Sequence, residues 1–342
     1  MSLKLVDRGK GELLGWHDPD EMRKWVAENK SRELKDKRMS VSAAVAKFVH
    51  DGDLIAMGGF GHDRISMVSV YEVIRQKKRH LVLAGKTAVH DSDLLIAGGC
   101  VDKVEVAYAF GHELRGLSPA SRRAVETGRV QIAGEISNAG YQWRFKAAAE
   151  GLPFLPCRVM LGSDTFNYSS SIMVEDPFSK GLICLVPACY PDVVIIHVHR
   201  SDMYGNCQID GITIEDLELA RAARRLIITT EEIIPNDRIR AEPCHTSIPF
   251  FFVDAVVEAP YGCHPGNMPG LYYFDEEHIG EWLSVSKTQE GVDSYLAKYV
   301  YEVKDFRDYI RLIGGEEKMK RLAALDSIGN RPAASAQGDD NR

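Results

Sequence analysis

Apolar residues along this chain gather into short, near-continuous runs separated by stretches with helical spacing. The runs are Asp53–Met57 (DLIAM), Leu81–Ala84 (LVLA), Val104–Phe110 (VEVAYAF), Leu182–Val186 (LICLV), Val193–Val198 (VVIIHV), Leu226–Thr229 (LIIT) and Val253–Val257 (VDAVV). They are rich in β-branched residues and show little apolar–polar alternation, which predicts strands covered on both faces, as in a parallel sheet. Between them, Val41, Val45, Phe48 and Val49 share one helical face behind Ser40, a good N-cap residue. Met67–Arg75, Tyr141–Glu150 and Ile214–Arg224 also carry helical spacing. Strand–helix alternation of this kind predicts an α/β fold: a largely parallel open sheet with helices on both faces.

The two ends read differently. Residues 1–38 are polar and mixed in charge. They contain Trp16 and Trp25 but no sustained strand pattern, so they predict an extension that packs over a neighbour, with a helix around Asp20–Leu34. Residues 316–342 read as a C-terminal tail, and 331–342 (RPAASAQGDDNR) have so little to bury that disorder is expected there. The domain between spans about 39–315, with a small subdomain expected around 200–285.

Composition narrows the function classes. The 342 residues are 45% apolar and 27% charged, with a net charge of −7 and no basic stripe interleaved with aromatics, which argues against nucleic acid. No apolar run approaches the ~20 residues that a membrane span needs, and the first residues carry no secretory signal pattern. The seven cysteines (Cys100, Cys157, Cys184, Cys189, Cys207, Cys244 and Cys263) form no CxxC pair. They read as reduced, buried residues of a cytoplasmic protein.

Several local features could carry chemistry, and each also has a plain structural reading. Gly58-Gly59-Phe60-Gly61 directly follows the DLIAM strand. Glycines beyond the carboxyl end of such a strand let backbone N–H groups approach a ligand, or simply make a tight turn. Lys86-Thr87 follows the LVLA strand, where a lysine could meet an anion or lie solvated at the surface. Ser137 and Asn138 precede the YQWRFKAAAE helix, as an N-cap or as a polar pair aimed into a cleft. His197 and His199 lie two apart on one strand, hence on one face, but no third metal ligand has matching spacing, so no metal is expected. Glu231, Glu232 and Glu258 lie at strand ends and read as capping or ion-pair carboxylates ahead of acid–base groups.

Seven separated segments in order resemble the α subunits of class I CoA-transferases. They are HDGDLIAMGGFGHDR (50–64), HDSDLLIAGGCVDKVEVAY (90–108), AAAEGLPFLP (147–156), PDVVIIHVHRSDMYGN (191–206), TTEEII (229–234), VDAVVEAPYGCHPG (253–266) and VSKTQE (285–290). The resemblance runs from about Met39 to Leu312. It implies a fold shared with ribose-5-phosphate isomerase and glucosamine-6-phosphate deaminase, no permanently bound cofactor, and coenzyme A thioester as substrate. It also implies a β subunit, in an α2β2 or larger assembly, that carries the nucleophilic glutamate. No serine-glutamate-asparagine-glycine run, the signature of that glutamate, occurs in this chain. The α subunit would supply the cleft wall: Gly58, Gly59, Phe60, Gly61, Lys86, Thr87 and Asn138. In fused family members a glutamine at the Asn138 position helps bind the substrate carboxylate. Related hydrolases that open a ring of a steroid-derived CoA thioester carry glutamate there, so the amide favours transfer, while Glu135 keeps hydrolysis as the alternative. A sugar-phosphate sensor on a related fold is the non-catalytic alternative.

Overall fold

The computed structural model describes residues 4–326. The side chains of Lys86 and Leu114 lie outside that description, as does the disorder expected for 331–342. Twelve strands follow in chain order: β1 Leu5–Arg8, β2 Leu54–Met57, β3 Leu81–Lys86, β4 Val101–Ala107, β5 Gln131–Glu135, β6 Phe154–Cys157, β7 Ile172–Glu175, β8 Leu182–Pro187, β9 Val193–Ser201, β10 Cys207–Gln208, β11 Arg225–Ile233 and β12 Ala255–Glu258. The main sheet has the order β12-β11-β9-β2-β3-β4-β5, with β10 antiparallel on β9. All the other pairs in it are parallel.

The sequence pattern explains the layering. On β9, Val193 and Ile195 enter one core while Val194, Ile196 and Val198 enter the other. On β11, Ile227 faces the first and Leu226 and Ile228 the second. Alternate residues point to opposite faces, so a run that is apolar throughout needs both faces covered. One face packs against helices Val41–Phe48, Met67–Arg75, His90–Ala97 and several from the C-terminal part of the chain. The other packs against helix Asn138–Ala149, helix Asp216–Ala222 and a second sheet. That second sheet is antiparallel, with the order β1-β7-β8-β6.

Three expectations change here. The LICLV run is a strand, β8, but it lies in the antiparallel sheet and not in the parallel one. The small second sheet draws on residues 5–8 and 154–187, whereas 207–258 supply β10, β11 and β12 to the main sheet. Residues 315–325 form a helix whose Met319 and Leu322 enter the core, so the fold continues past the expected tail boundary. Six of the seven cysteines are buried, and Cys244 is exposed.

The segment read as an extension is built into its own chain. β1 pairs with β7, and Asp18 caps the helix Pro19–Asn29. Trp25 lies beneath both Arg224 and Arg225, with guanidinium–ring distances of 4.7 and 5.0 Å. Lys30 is buried, donates to the Phe252 carbonyl (2.7 Å) and pairs with Asp254 at 3.2 Å. The Leu14 carbonyl accepts from Arg144 (2.6 Å), whose guanidinium is fully buried against Glu105. Polar residues in a sequence therefore mark anchoring contacts here. Deleting residues 1–38 strips the edge of β7 and leaves Asp254 and Arg144 short of partners, and breaking a buried ionic contact costs about 3–5 kcal/mol. The truncated chain is expected to be insoluble or to melt far below the full chain in a thermal scan. Equal melting temperatures would contradict this packing.

Candidate functional site

The order of the main sheet reverses between β2 and β9: β3, β4 and β5 follow on one side of β2, and β9, β11 and β12 lie on the other. In open α/β sheets ligands bind beyond the carboxyl ends of strands at such a switch point. The glycine turn leaves β2 at that place. A larger cavity, about 480 Å³, lies instead at the amino ends of the strands, lined by Asp53, Val193, Arg225 and Asp254 among others. Three of its basic groups, Lys30, Arg224 and Arg225, are paired with Asp192 and Asp254, and it lies at the opposite end of the strands from the switch-point site.

The glycine turn is a tight internal construction. The Gly58 N–H donates to the Ile195 carbonyl (2.8 Å), Phe60 to Asp63 (2.9 Å) and Gly61 to Thr87 (3.1 Å). The Gly59 N–H donates to Asp216 Oδ1 (2.9 Å). Donors expected to face a ligand are thus all engaged within the protein. Gly59 has φ +85°, and a Cβ there would fall 2.4 Å from the Asp63 carbonyl oxygen and 2.8 Å from Arg64 backbone. At Gly61, with φ +64°, a Cβ would meet only the Glu113 carboxylate, at 3.1 Å.

Behind the turn sits a buried ion pair. Arg64 Nη2 lies 2.7 Å from Asp216 Oδ2, off the hydrogen-bonding direction, and donates to the Ile212 carbonyl at 2.8 Å. Both residues are almost wholly buried. Asp216 therefore links the β2 turn to the helix Asp216–Ala222. It lies 157 residues from Gly59 in sequence, which is why the local pattern did not reveal it.

Of the residues singled out from sequence, the structure brings Gly58–Gly61 and Thr87 together. They line one small cavity with Asp91, of about 10 Å³, room for one water at most. The Thr87 hydroxyl is buried and has no partner among the described residues. Burial raises the Asp91 carboxyl to about 6. Lys86 ends β3 beside this cavity, its side chain outside the described residues. Asn138 lies apart, beyond the end of the edge strand β5, three strands and on the order of 14 Å from β2. Ser137, not Asn138, caps the helix, accepting from the Gly140 N–H at 3.0 Å. The Asn138 side chain is exposed and makes no hydrogen bond among the described residues.

The other candidates are occupied by structural contacts. His197 pairs Nδ1 with the Thr229 hydroxyl (2.7 Å) and Nε2 with Glu231 (2.9 Å). Glu231 also accepts from the Tyr272 hydroxyl (2.5 Å) and the Tyr261 N–H (2.6 Å). His199 uses both ring nitrogens, on the Pro269 carbonyl (2.9 Å) and the Asp210 N–H (3.1 Å). Those histidines have no lone pair left for a metal. Glu232 and Glu258 are exposed at strand ends.

Three substitutions separate the scaffold from the surface of this turn. Gly59→Ala forces a Cβ onto backbone at positive φ, and Asp216→Ala leaves Arg64 charged and unpaired; each should cost about 3 kcal/mol or more. Gly61→Ala meets only a movable carboxylate and should cost about 1 kcal/mol for its φ. Denaturant unfolding of the three variants checks the order, and a Gly59 variant as stable as the parent would contradict it.

Comparison with known proteins fits this architecture. The coenzyme A transferase family model matches residues 38–259. The A subunit of glutaconate CoA-transferase from Acidaminococcus fermentans is 35% identical over 310 residues, covering 86% of this chain and 96% of that one. The solved structure of glutaconate coenzyme A-transferase from that organism superposes with a TM-score of 0.82 over 87% of this chain and 98% of its own, at 33% identity. The A subunit of 3-oxoadipate CoA-transferase from Pseudomonas knackmussii is 33% identical over 274 residues, 79% of this chain and 96% of that one. A cholesterol ring-cleaving hydrolase IpdA subunit of Rhodococcus jostii is 27% identical over 282 residues, 79% of this chain and 94% of that one. The chain therefore belongs to the coenzyme A transferase family, in which its similarity is to the A subunits of CoA-transferases.

Proposed function

We propose that the chain is the α subunit of a heteromeric acyl-CoA:carboxylate CoA-transferase. In this reading the nucleophile is a glutamate of a β subunit. Its carboxylate attacks the acyl-CoA carbonyl, giving an acyl-glutamyl anhydride and CoA thiolate. The thiolate then attacks the glutamyl carbonyl, releasing the first acid and leaving a glutamyl-CoA thioester. A second carboxylate repeats the exchange in reverse and leaves as its CoA ester. Covalent catalysis splits one difficult exchange into acyl transfers that are each easier.

The observation that carries this reading is the likeness, along nearly the whole of both chains, to the A subunit of glutaconate CoA-transferase. The local geometry agrees with it. The carboxylates of Glu105 and Glu231 are buried in structural contacts, so neither is free to attack a thioester. The carboxyl edge of the sheet carries exposed apolar side chains, with Tyr108 60% and Ile212 79% exposed. Apolar rims of that kind suit a partner surface. With the cavity at the glycine turn no larger than a water, the acyl-CoA would lie between subunits, in an α2β2 or larger assembly in the cytoplasm. Co-expression with the β chain should yield one stable complex by mass measurement.

Asn138 divides transfer from hydrolysis. Its exposed amide, beyond the end of β5, can donate to the carboxylate of a donor or acceptor acid held between the subunits. A charge-assisted bond is worth roughly 1.5–3 kcal/mol, so Asn138→Ala should lower transfer efficiency about 10- to 150-fold while binding of CoA itself changes less. Asn138→Glu should transfer worse still and hydrolyse more, because it sets a negative charge against the acid and offers water a general base. The check is parallel measurement of transfer and hydrolysis, with circular dichroism for folding. Unchanged dependence on acceptor acid in Asn138→Ala would remove Asn138 from the site. Hydrolysis faster than transfer in the parent would favour the ring-opening hydrolase reading.

A further inference from the structure

Three histidines meet in the interior just behind the cleft. His62 lies in the loop after β2, His90 begins the helix after β3, and His112 lies in the loop after β4. All three are buried, at 2%, 0% and 0% exposure. Their ring centroids are 5.2 to 5.9 Å apart, and one nitrogen from each lies within 4.8 Å of one nitrogen from each of the others.

These rings differ from the other buried histidines in what they lack. His197 and His199 use both nitrogens in hydrogen bonds. His90 uses neither, and His62 Nδ1 and His112 Nε2 are also without partners among the described residues. Buried polar atoms normally find a partner, and leaving one unmade costs stability. Three neutral imidazoles carry one lone pair and one N–H each, and an occupant that takes the lone pairs would engage one nitrogen of every ring, including His90, which otherwise has no partner among the described residues.

The His62–His112 spacing suits two ligands of one metal ion, and nitrogens that lie within 4.8 Å would close toward about 3.3 Å as the third ring binds. His62 Nε2 and His112 Nδ1 are 3.2 Å apart. Two nitrogens bound to one tetrahedral zinc at 2.0–2.1 Å are about 3.3 Å apart. If those two atoms face the ion, His112 turns its Nε2–H toward Asp93 Oδ2, now 3.5 Å away. A ligating histidine usually gives its second N–H to such a carboxylate. Asp93 is itself fully buried, and the Ser118 and Ser121 hydroxyls and the Trp282 indole N–H donate to it. It supplies an anion beside an otherwise neutral ligand set. No proton need leave the site: the hydrogen between His62 and His112 is replaced by a change of tautomer.

We propose that His62, His90 and His112 bind one divalent transition-metal ion of the zinc class, which cross-links the three loops that wall the cleft. Neutral imidazoles suit zinc, and also copper, iron or nickel. The role assigned is structural, because the rings are shut away from solvent. Those same loops hold Arg64, Thr87, Tyr108, Phe110 and Glu113 at positive φ, five of the ten such non-glycine residues among those described. Conformations of that kind persist only where the surroundings over-determine them. A cross-link between the loops after β2, β3 and β4 would do so and would fix Gly61 against Thr87.

The test uses the full chain, purified alone and in complex with its partner. Elemental mass spectrometry should find about one zinc-class ion per chain. After chelation, titration with cobalt(II) should give the visible absorption of a low-coordinate site with nitrogen ligands. Zinc at 100-fold excess over its Kd should raise the melting temperature by about 4 °C. His90→Leu removes a ligand and two unpartnered nitrogens together. With a metal site it loses the ion, the cobalt spectrum and the zinc-dependent rise; without one it should simply become more stable. A parent chain with no stoichiometric metal and no cobalt spectrum, or a stabilised His90→Leu that keeps the parent's metal response, would overturn the proposal. The parent measurements decide the matter even if the variant does not fold, and they do not depend on which reaction the enzyme catalyses.

Discussion

The geometry of the candidate site depends on one buried contact, the carboxylate of Asp216. It accepts the Gly59 N–H with one oxygen and faces Arg64 with the other. This holds the turn after β2 against the start of the helix Asp216–Ala222, across the point where the order of the sheet reverses. The pair is costly to bury, and it offsets that cost only while both charges keep their partners. Every N–H from Gly58 to Gly61 is engaged within the protein as a result. The turn is therefore a rigid wall. Its N–H groups are closed to a ligand, whereas the Asn138 amide at the far edge is exposed and makes no hydrogen bond among the described residues.

Much of the fold was legible because burial on both faces leaves a plain signature. VVIIHV, LIIT and LVLA are apolar but for His197 and Thr229, and all three lie in the parallel sheet with alternate residues in two cores. LICLV carries the same signature for another reason. β8 lies in the middle of the second sheet, between β7 and β6, so its apolar run does not reveal strand direction. β1 (LVDR) was not legible at all. Its four residues are exposed, and backbone pairing to β7 makes it a strand without a buried side-chain pattern.

The site was legible in part. The glycine turn and Thr87 come together as the strand-end argument implied, and Asn138 is left uncapped because Ser137 takes the cap. Asp216 and the three histidines were not visible in the sequence, since each acts across separate strand–helix units and forms no local motif. His197 and His199 show the converse. Their spacing looked like a ligand pair, yet each ring's nitrogens are taken by neighbours brought in from distant segments.

The central claim is that this chain forms one wall of a shared site and that its partner holds the nucleophile. Glu105 lies against Arg144, Glu231 is locked by His197 and two tyrosines, and Glu135 is exposed at the end of β5. The most direct measurement incubates the co-expressed complex with acyl-CoA and no acceptor acid. Borohydride then reduces any glutamyl thioester, and peptide mass mapping locates it. The account expects the label on a glutamate of the β chain alone. A label on Glu105, Glu135 or Glu231 would contradict it.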